Sequence, residues 1–187
     1  MPSDTPRTEP TLRLATIDDL DSIVTVHIAS REAAYRGHLP DDAMDHQSVE
    51  ERRSRWVGWL TAGEAQGQTL VAEIAGSIAG FCRFGPEASD PAGRFREIQR
   101  LYVAPDAQGH GLGRALLERA TAMIATSGCT RAMLDVFDFN ADAIRFYEHL
   151  GWVRFGVTVT PGPPDRSDGS ITRYLYEKDL VPVSNKS

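Results

Sequence analysis

Cysteine is scarce in this 187-residue chain, with Cys82 and Cys129 the only two. Two isolated thiols cannot build a disulfide scaffold and lack the spacing of a metal site. The histidines His27, His38, His46, His110 and His149 show no metal-ligand spacing either, so no metal is expected. Long apolar runs are missing. None approaches the roughly 18 residues of a membrane-spanning helix, and the Pro-, Thr- and Asp-rich start carries no apolar segment of a signal peptide. An excess of positive charge is also lacking: 20 Lys and Arg stand against 26 Asp and Glu, a net charge of −6. That balance argues against a protein that grips nucleic-acid backbones. No repeat, heptad or low-complexity block interrupts the chain. The expectation is a cytoplasmic protein with neither membrane nor nucleic acid among its partners.

What is present has ordinary globular proportions, 41% hydrophobic and 25% charged residues, and a length that suits one domain. Residues 1–10 read as a loose lead-in, 11–180 as the domain and 181–187 as a tail. Leu12 and Leu14 alternate with polar residues as in a short strand. Thr16 and Asp19 form a capping-box pattern before Leu20, Ile23, Val24 and Ile28 at helical spacing. Ser48 and Glu51 repeat the pattern before Arg52, Trp56, Trp59 and Leu60. Two strand-like runs, 69–75 and 78–84, flank a tight turn around Gly76-Ser77. A third, 95–103, is stopped by Pro105. A helix is predicted from His110 to Thr126, a strand over 132–137, a helix from Asn140 to Leu150 ended by Gly151, and strands over 152–159 and 171–177. The order is β-α-α-β-β-β-α-β-α-β-β. Its central strand–helix–strand unit requires a right-handed crossover onto a parallel neighbour. The fold class is therefore α/β (α+β): one mixed, mostly antiparallel sheet flanked by helices.

The strongest chemical signal is Gln108-Gly-His-Gly-Leu-Gly-Arg114, between a strand and a helix. Glycines let backbone N–H groups approach a ligand, and a helix N-terminus favours phosphate. Arg114 adds a full charge in the first turn. The alternative is a tight turn alone. Gly113-Arg114-Ala115 departs from the Gly-Lys-Ser/Thr of a P-loop, and no G-x-G-x-x-G can be counted from Gly109 or Gly111. Both nucleotide motifs fail on spacing.

Gln108, Gly111 and Gly113 match the Gln/Arg-x-x-Gly-x-Gly/Ala loop, and here the chain resembles the GNAT (GCN5-related) N-acetyltransferase superfamily. The resemblance runs through 97–103 and 140–152 and extends loosely over 12–178. It implies acetyl-CoA as acyl donor, with its pyrophosphate held by Gln108, Gly109, His110, Gly111, Leu112, Gly113 and Arg114. It also implies pantetheine pairing with the backbone of Leu101, Tyr102 and Val103, a strand-addition mode, and a Val103 N–H that polarises the thioester carbonyl. Asn140 and Tyr147 lie seven residues apart, so one helix side carries both. Asn140 can shape the cofactor groove and also cap its helix. Tyr147 is either the acid that protonates the departing thiolate or a packed aromatic beside Phe146 and Leu150.

Acetylating an amine requires removing a proton from a group of pKa near ~10.4. Glu97, eleven residues before Gln108, stands where the histone-acetylating branch places its base. A solvated or ion-paired Glu97 is the rival reading, and Asp135 is a weaker candidate. Neither cysteine has a histidine near it in sequence, which favours direct transfer in a ternary complex over a covalent route. The resemblance places a small-molecule or peptide amine acceptor between about 31–47 and 160–170. The first stretch carries Tyr35, Asp41, Asp42 and Asp45, compatible with a cation or with any exposed loop. A homodimer is compatible with the sequence. A catalytically silent acyl-CoA sensor and an interaction module on the same fold are the alternatives.

Overall fold

A computed structural model of the chain describes residues 9–39, 44, 48–87, 90, 93–161 and 170–181. Seven strands form one sheet in the order β1-β2-β3-β4-β5-β7-β6. They are β1 (Thr11–Leu14), β2 (Gln68–Ile74), β3 (Ser77–Pro86), β4 (Phe95–Val103), β5 (Arg131–Phe137), β6 (Val153–Pro161) and β7 (Ser170–Asp179). Four α-helices are described over longer stretches: α1 (Leu20–Tyr35), α2 (Val49–Thr61), α3 (Leu112–Thr126) and α4 (Ala141–His149). Among these strands β4 and β5 pair in parallel and the other neighbours pair antiparallel. The crossover β4-α3-β5 supplies that parallel neighbour, as the sequence order requires. None of the described helices is long and apolar enough to cross a membrane.

Strict alternation along β2 and β3 divides the core into two layers. Val71 and Phe81 face α1 and α2, where Ile23, Val24 and Trp56 close the packing. Leu70, Ala72, Cys82 and Phe84 face the other way, onto the α3 stripe Leu112, Leu116, Ala120 and Ile124. Both thiols are buried. Fully burying side chains of this size is worth about 1.5–3 kcal/mol each. Helices thus cover both faces of the central strands, whereas Asp135 on β5 and Val153, Phe155, Val157 and Val159 on the edge strand β6 stay exposed.

Both predicted capping boxes form, the first with a refinement. Ser48 Oγ accepts the Glu51 N–H at 3.1 Å and Glu51 Oε2 accepts the Ser48 N–H at 2.7 Å. Asp19 accepts the Thr16 N–H at 2.7 Å, but this first box opens a 3-10 turn (Ile17–Asp19) before α1 begins. The β2–β3 turn is centred on Ala75 and Gly76, both at positive φ, one residue earlier than Gly76-Ser77. A two-residue hairpin needs positive φ at its central positions to match strand twist. Similarly α3 starts at Leu112 rather than His110, because the left-handed Gly111 (φ 80) caps it.

β4 contains a bulge. Arg83 pairs with Arg100 and Phe84 with Ile98, leaving Gln99 as the extra residue. The insertion reverses side-chain parity along the strand. Ile98, Leu101 and Val103 consequently join the α3 layer, while Tyr102 joins the α1 layer.

Candidate active site

The parallel pairing of β4 with β5 lasts three rungs, from Phe95–Arg131 to Glu97–Met133. Past Glu97 no ladder pair joins the two strands, and β5 continues instead with β7 as far as Phe137–Arg173. The cleft between them has a volume of about 800 Å³ and is lined by both strands, α1, α4 and the start of α3.

The antiparallel β3–β4 ladder determines which peptide groups of β4 face this cleft. Ala104 N–H bonds Ala79 O at 2.8 Å, which makes Gly80–Val103 a non-hydrogen-bonded pair. The peptide groups of Leu101 and Val103 therefore point away from β3, toward the open edge. Those of Tyr102 are turned to β3. Val103 O already accepts Ser30 Oγ at 3.0 Å and Gln108 Nε2 at 3.3 Å. An extended ligand amide laid along this edge would meet the Leu101 groups and the Val103 N–H.

At the start of α3, Gly109 (φ 77) and Gly111 (φ 80) adopt the left-handed conformation that L-residues avoid. A Cβ built at either meets no atom within 4 Å, so the loop presents bare backbone to open space. Ala115 N–H bonds Gly111 O at 3.0 Å as the helix ladder begins, and the amides before it are those a helix cannot satisfy. Arg114 lines the cleft while pairing with Glu118 at 2.8 Å. Bare amides, a helix N-terminus and a guanidinium together suit the phosphates of a CoA-type ligand.

Of the residues singled out in the sequence, Leu101, Tyr102, Val103, Gln108, Gly109, Gly111, Leu112, Gly113, Arg114, Asn140 and Tyr147 line this cleft, and so does Asp135. Glu97 and His110 do not. His110 Nδ1 sits 2.8 Å from Gln108 O, bracing the loop from its own backbone. Glu97 is half-buried, and burial together with the nearby Asp135 carboxylate raises its pKa, against a lowering by Arg100. Asn140 Oδ1 caps α4 by accepting Ala143 N–H at 3.2 Å. Tyr147 is 9% exposed and packs against Phe146, Trp152 and Tyr176 with ring centroids 5.2, 6.1 and 6.5 Å away. Burial pushes its phenol far above its ordinary pKa. Packing and cleft lining thus coexist in one residue.

Arg31 and His38 line the cleft from within the 31–47 stretch expected to border the acceptor, but Ser30 on α1, Phe137 at the end of β5, Phe139 just past it and Arg173 on β7 were not singled out in the sequence. They converge from distant stretches by way of the sheet order. Only alternation around Phe137 hinted at a strand, and nothing local marked its neighbours as a wall. The acidic residues Asp41, Asp42 and Asp45, and most of 160–170, lie outside the described residues. Tyr35 lines the cleft, its hydroxyl 3.3 Å from that of Tyr102. Among the described residues no group of three His, Cys, Asp or Glu could hold a metal ion.

The acetyltransferase (GNAT) family matches residues 31–152, and the chain belongs to that family. Its relatives include YuaI of Bacillus subtilis, an uncharacterized N-acetyltransferase 28% identical over 138 residues, 74% of this chain and 77% of that protein. The phosphinothricin N-acetyltransferase of Alcaligenes faecalis is 30% identical over 156 residues, 81% of this chain and 74% of that one. A mycothiol acetyltransferase of Beutenbergia cavernae is 44% identical over 157 residues, 81% of this chain but 48% of that protein. The chain therefore spans about half the length of that mycothiol enzyme. The structure of PaiA N-acetyltransferase from Thermoplasma acidophilum with coenzyme A superposes with a TM-score of 0.69 at 20% identity, over 92% of this chain and 99% of that one. YncA of Salmonella typhimurium with acetyl-CoA gives 0.71 at 21% identity, over 96% and 98%. At such identities the likeness is one of fold.

Proposed function

We propose that the protein transfers the acetyl group of acetyl-CoA to a primary amine by direct attack in a ternary complex. One observation carries the reading: the open edge of β4, the bare-backbone start of α3 and the Tyr147 ring line a single cleft. The amides of Gly109 to Arg114 hold the pyrophosphate, and the open-edge groups of Leu101 and Val103 align the pantetheine arm. The Val103 N–H points to the same edge and polarises the thioester carbonyl. The neutral amine attacks that carbonyl carbon, the C–N bond forms and the C–S bond breaks. The amine's surplus proton goes to a carboxylate and the departing thiolate takes a proton from Tyr147, which solvent restores. Burial raises the pKa of this phenol, so the hydroxyl carries its proton at neutral pH and depends on its position beside the thiolate to give it up.

The carboxylate is the Glu97–Asp135 pair acting as a unit. Asp135 lines the cleft, its Oδ2 held 3.1 Å from Arg173 Nε. Glu97 lies behind it with the raised proton affinity that a base needs near neutral pH, reached through water. Thermal shift with CoA, followed by thiol release from acetyl-CoA over a panel of amines, tests the proposal. No CoA binding removes the cofactor assignment. CoA binding without thiol release on any amine indicates a silent sensor.

A further inference from the structure

Three guanidinium groups line the cleft beside the thioester region, those of Arg31, Arg100 and Arg173, in a chain whose net charge is −6. The carboxylate among them, Asp135, is engaged by Arg173. Arg100 donates to Gln99 O at 2.5 Å. Arg31 differs from both: its Nε is buried without a hydrogen-bond partner, and its guanidinium stands 5.3 Å from the Tyr35 ring centroid. The residue also lines the cleft, where a guanidinium can make charge-assisted bonds to an oxyanion.

Beside these cations stands an aromatic shelf. Phe137 and Phe139 stack at 5.0 Å and 11°, and His38 stacks on Phe139 at 4.9 Å and 5°. Tyr35 meets the edge of the shelf, 5.1 Å from Phe137. A polyamine or aminoglycoside would bring several positive charges against three arginines. An acceptor with one amine, one carboxylate and an apolar body meets each feature instead.

Building on the acetyl-transfer reading, we propose that the acceptor is a small amino-acid-like molecule. Its carboxylate is bound by Arg31 and its side chain rests on the Phe137–Phe139 shelf. Arg31 is then the residue that selects the acceptor, and the carboxylate it holds fixes the amine at a set distance from the thioester.

The test pairs each acid with the amine it becomes on losing carboxylate: L-phenylalanine with phenethylamine and L-methionine with 3-(methylthio)propylamine, with spermidine as a polycation. Steady-state kinetics with acetyl-CoA and titration of each compound into the CoA-loaded protein are both read. The acids should exceed their amines at least ten-fold in kcat/KM or in affinity. Arg31→Met should bring that ratio close to one, chiefly through KM of the acid, and Arg31→Lys should restore part of it. Equal handling of acid and amine, a preference for spermidine, or no binding or turnover of either class while CoA binds would overturn the proposal. So would an Arg31→Met protein with a lowered melting temperature but an unchanged ratio, which marks a structural arginine. Failure to bind CoA at all would overturn the acetyl-transfer reading itself.

Discussion

Glu97 and Met133 face each other across the last rung of the parallel pairing between β4 and β5. Two residues further the Gln99 bulge interrupts β4, and from there β4 borders the cleft. The closed sheet behind this rung holds the two strands rigidly, while the open edge ahead leaves two sets of peptide groups with no strand to pair. A ligand that contributes its own amides completes the sheet at this point. The carboxylate closest to the junction, Glu97, is thereby placed between core and cleft, which is why burial raises its pKa.

CoA and acetyl-CoA should stabilise the folded protein. At a concentration 100 times the Kd the gain is about 2.7 kcal/mol. Gly111→Leu places a side chain in the left-handed region, at a cost of about 1–3 kcal/mol, and aims it into open space at the helix start. The variant should still melt cooperatively but lose the CoA-dependent shift. A shift of parental size in Gly111→Leu would remove the loop from the binding site.

Glu97→Gln should lower kcat most near neutral pH, where few acceptor amines are already deprotonated. The defect should shrink as the pH approaches the acceptor's own pKa. Because the carboxyl titrates above its ordinary value, the acidic limb of the parental pH profile should lie above about 4.3 and vanish in the variant. A uniform loss at every pH would assign Glu97 a structural role.

Tyr147→Phe retains the ring that packs against Trp152 and Tyr176 and deletes the hydroxyl. Loss of a positioned acid costs roughly 10²–10⁴-fold, so kcat should fall by that order while acetyl-CoA affinity and melting temperature barely move. More than half the parental kcat on a true acceptor would leave Tyr147 as a packing residue only.

His27 supplies a pH test of the other core layer. Trp56 Nε1 donates to its Nδ1 at 3.1 Å, a bond that requires an unprotonated nitrogen. Burial, reinforced by Arg100 and Arg31, pushes its pKa down to about 3. The unfolded imidazole takes up its proton near ~6.5, so between these values the unfolded chain binds more protons. Stability from this residue is present above the upper value and lost as the pH falls through the window, at up to about 1.4 kcal/mol per pH unit. His27→Gln keeps an acceptor for Trp56 but cannot titrate. Urea unfolding from pH 7 to pH 4 should show the parent losing stability relative to the variant as the pH drops, and a constant difference would refute the assignment.

Local chemistry made much of this protein legible in its sequence. Capping boxes at Thr16 and Ser48, alternation in the central strands and the stripe from Leu112 to Ile124 depend on neighbours a few residues away. Element order and type followed from them. The glycine loop was legible for the same reason, since Gly109 and Gly111 adopt a conformation that few other residues tolerate. Tertiary structure alone decided the phase of the β3–β4 ladder, which turns Leu101 and Val103 outward and Tyr102 inward. It also decided the bulge at Gln99, the separation of β4 from β5, and the meeting of Arg31, Phe137 and Arg173 around one cavity. These depend on hydrogen-bond register and strand order, which couple residues as far apart as 31 and 173. A periodic pattern along one segment carries no information about either.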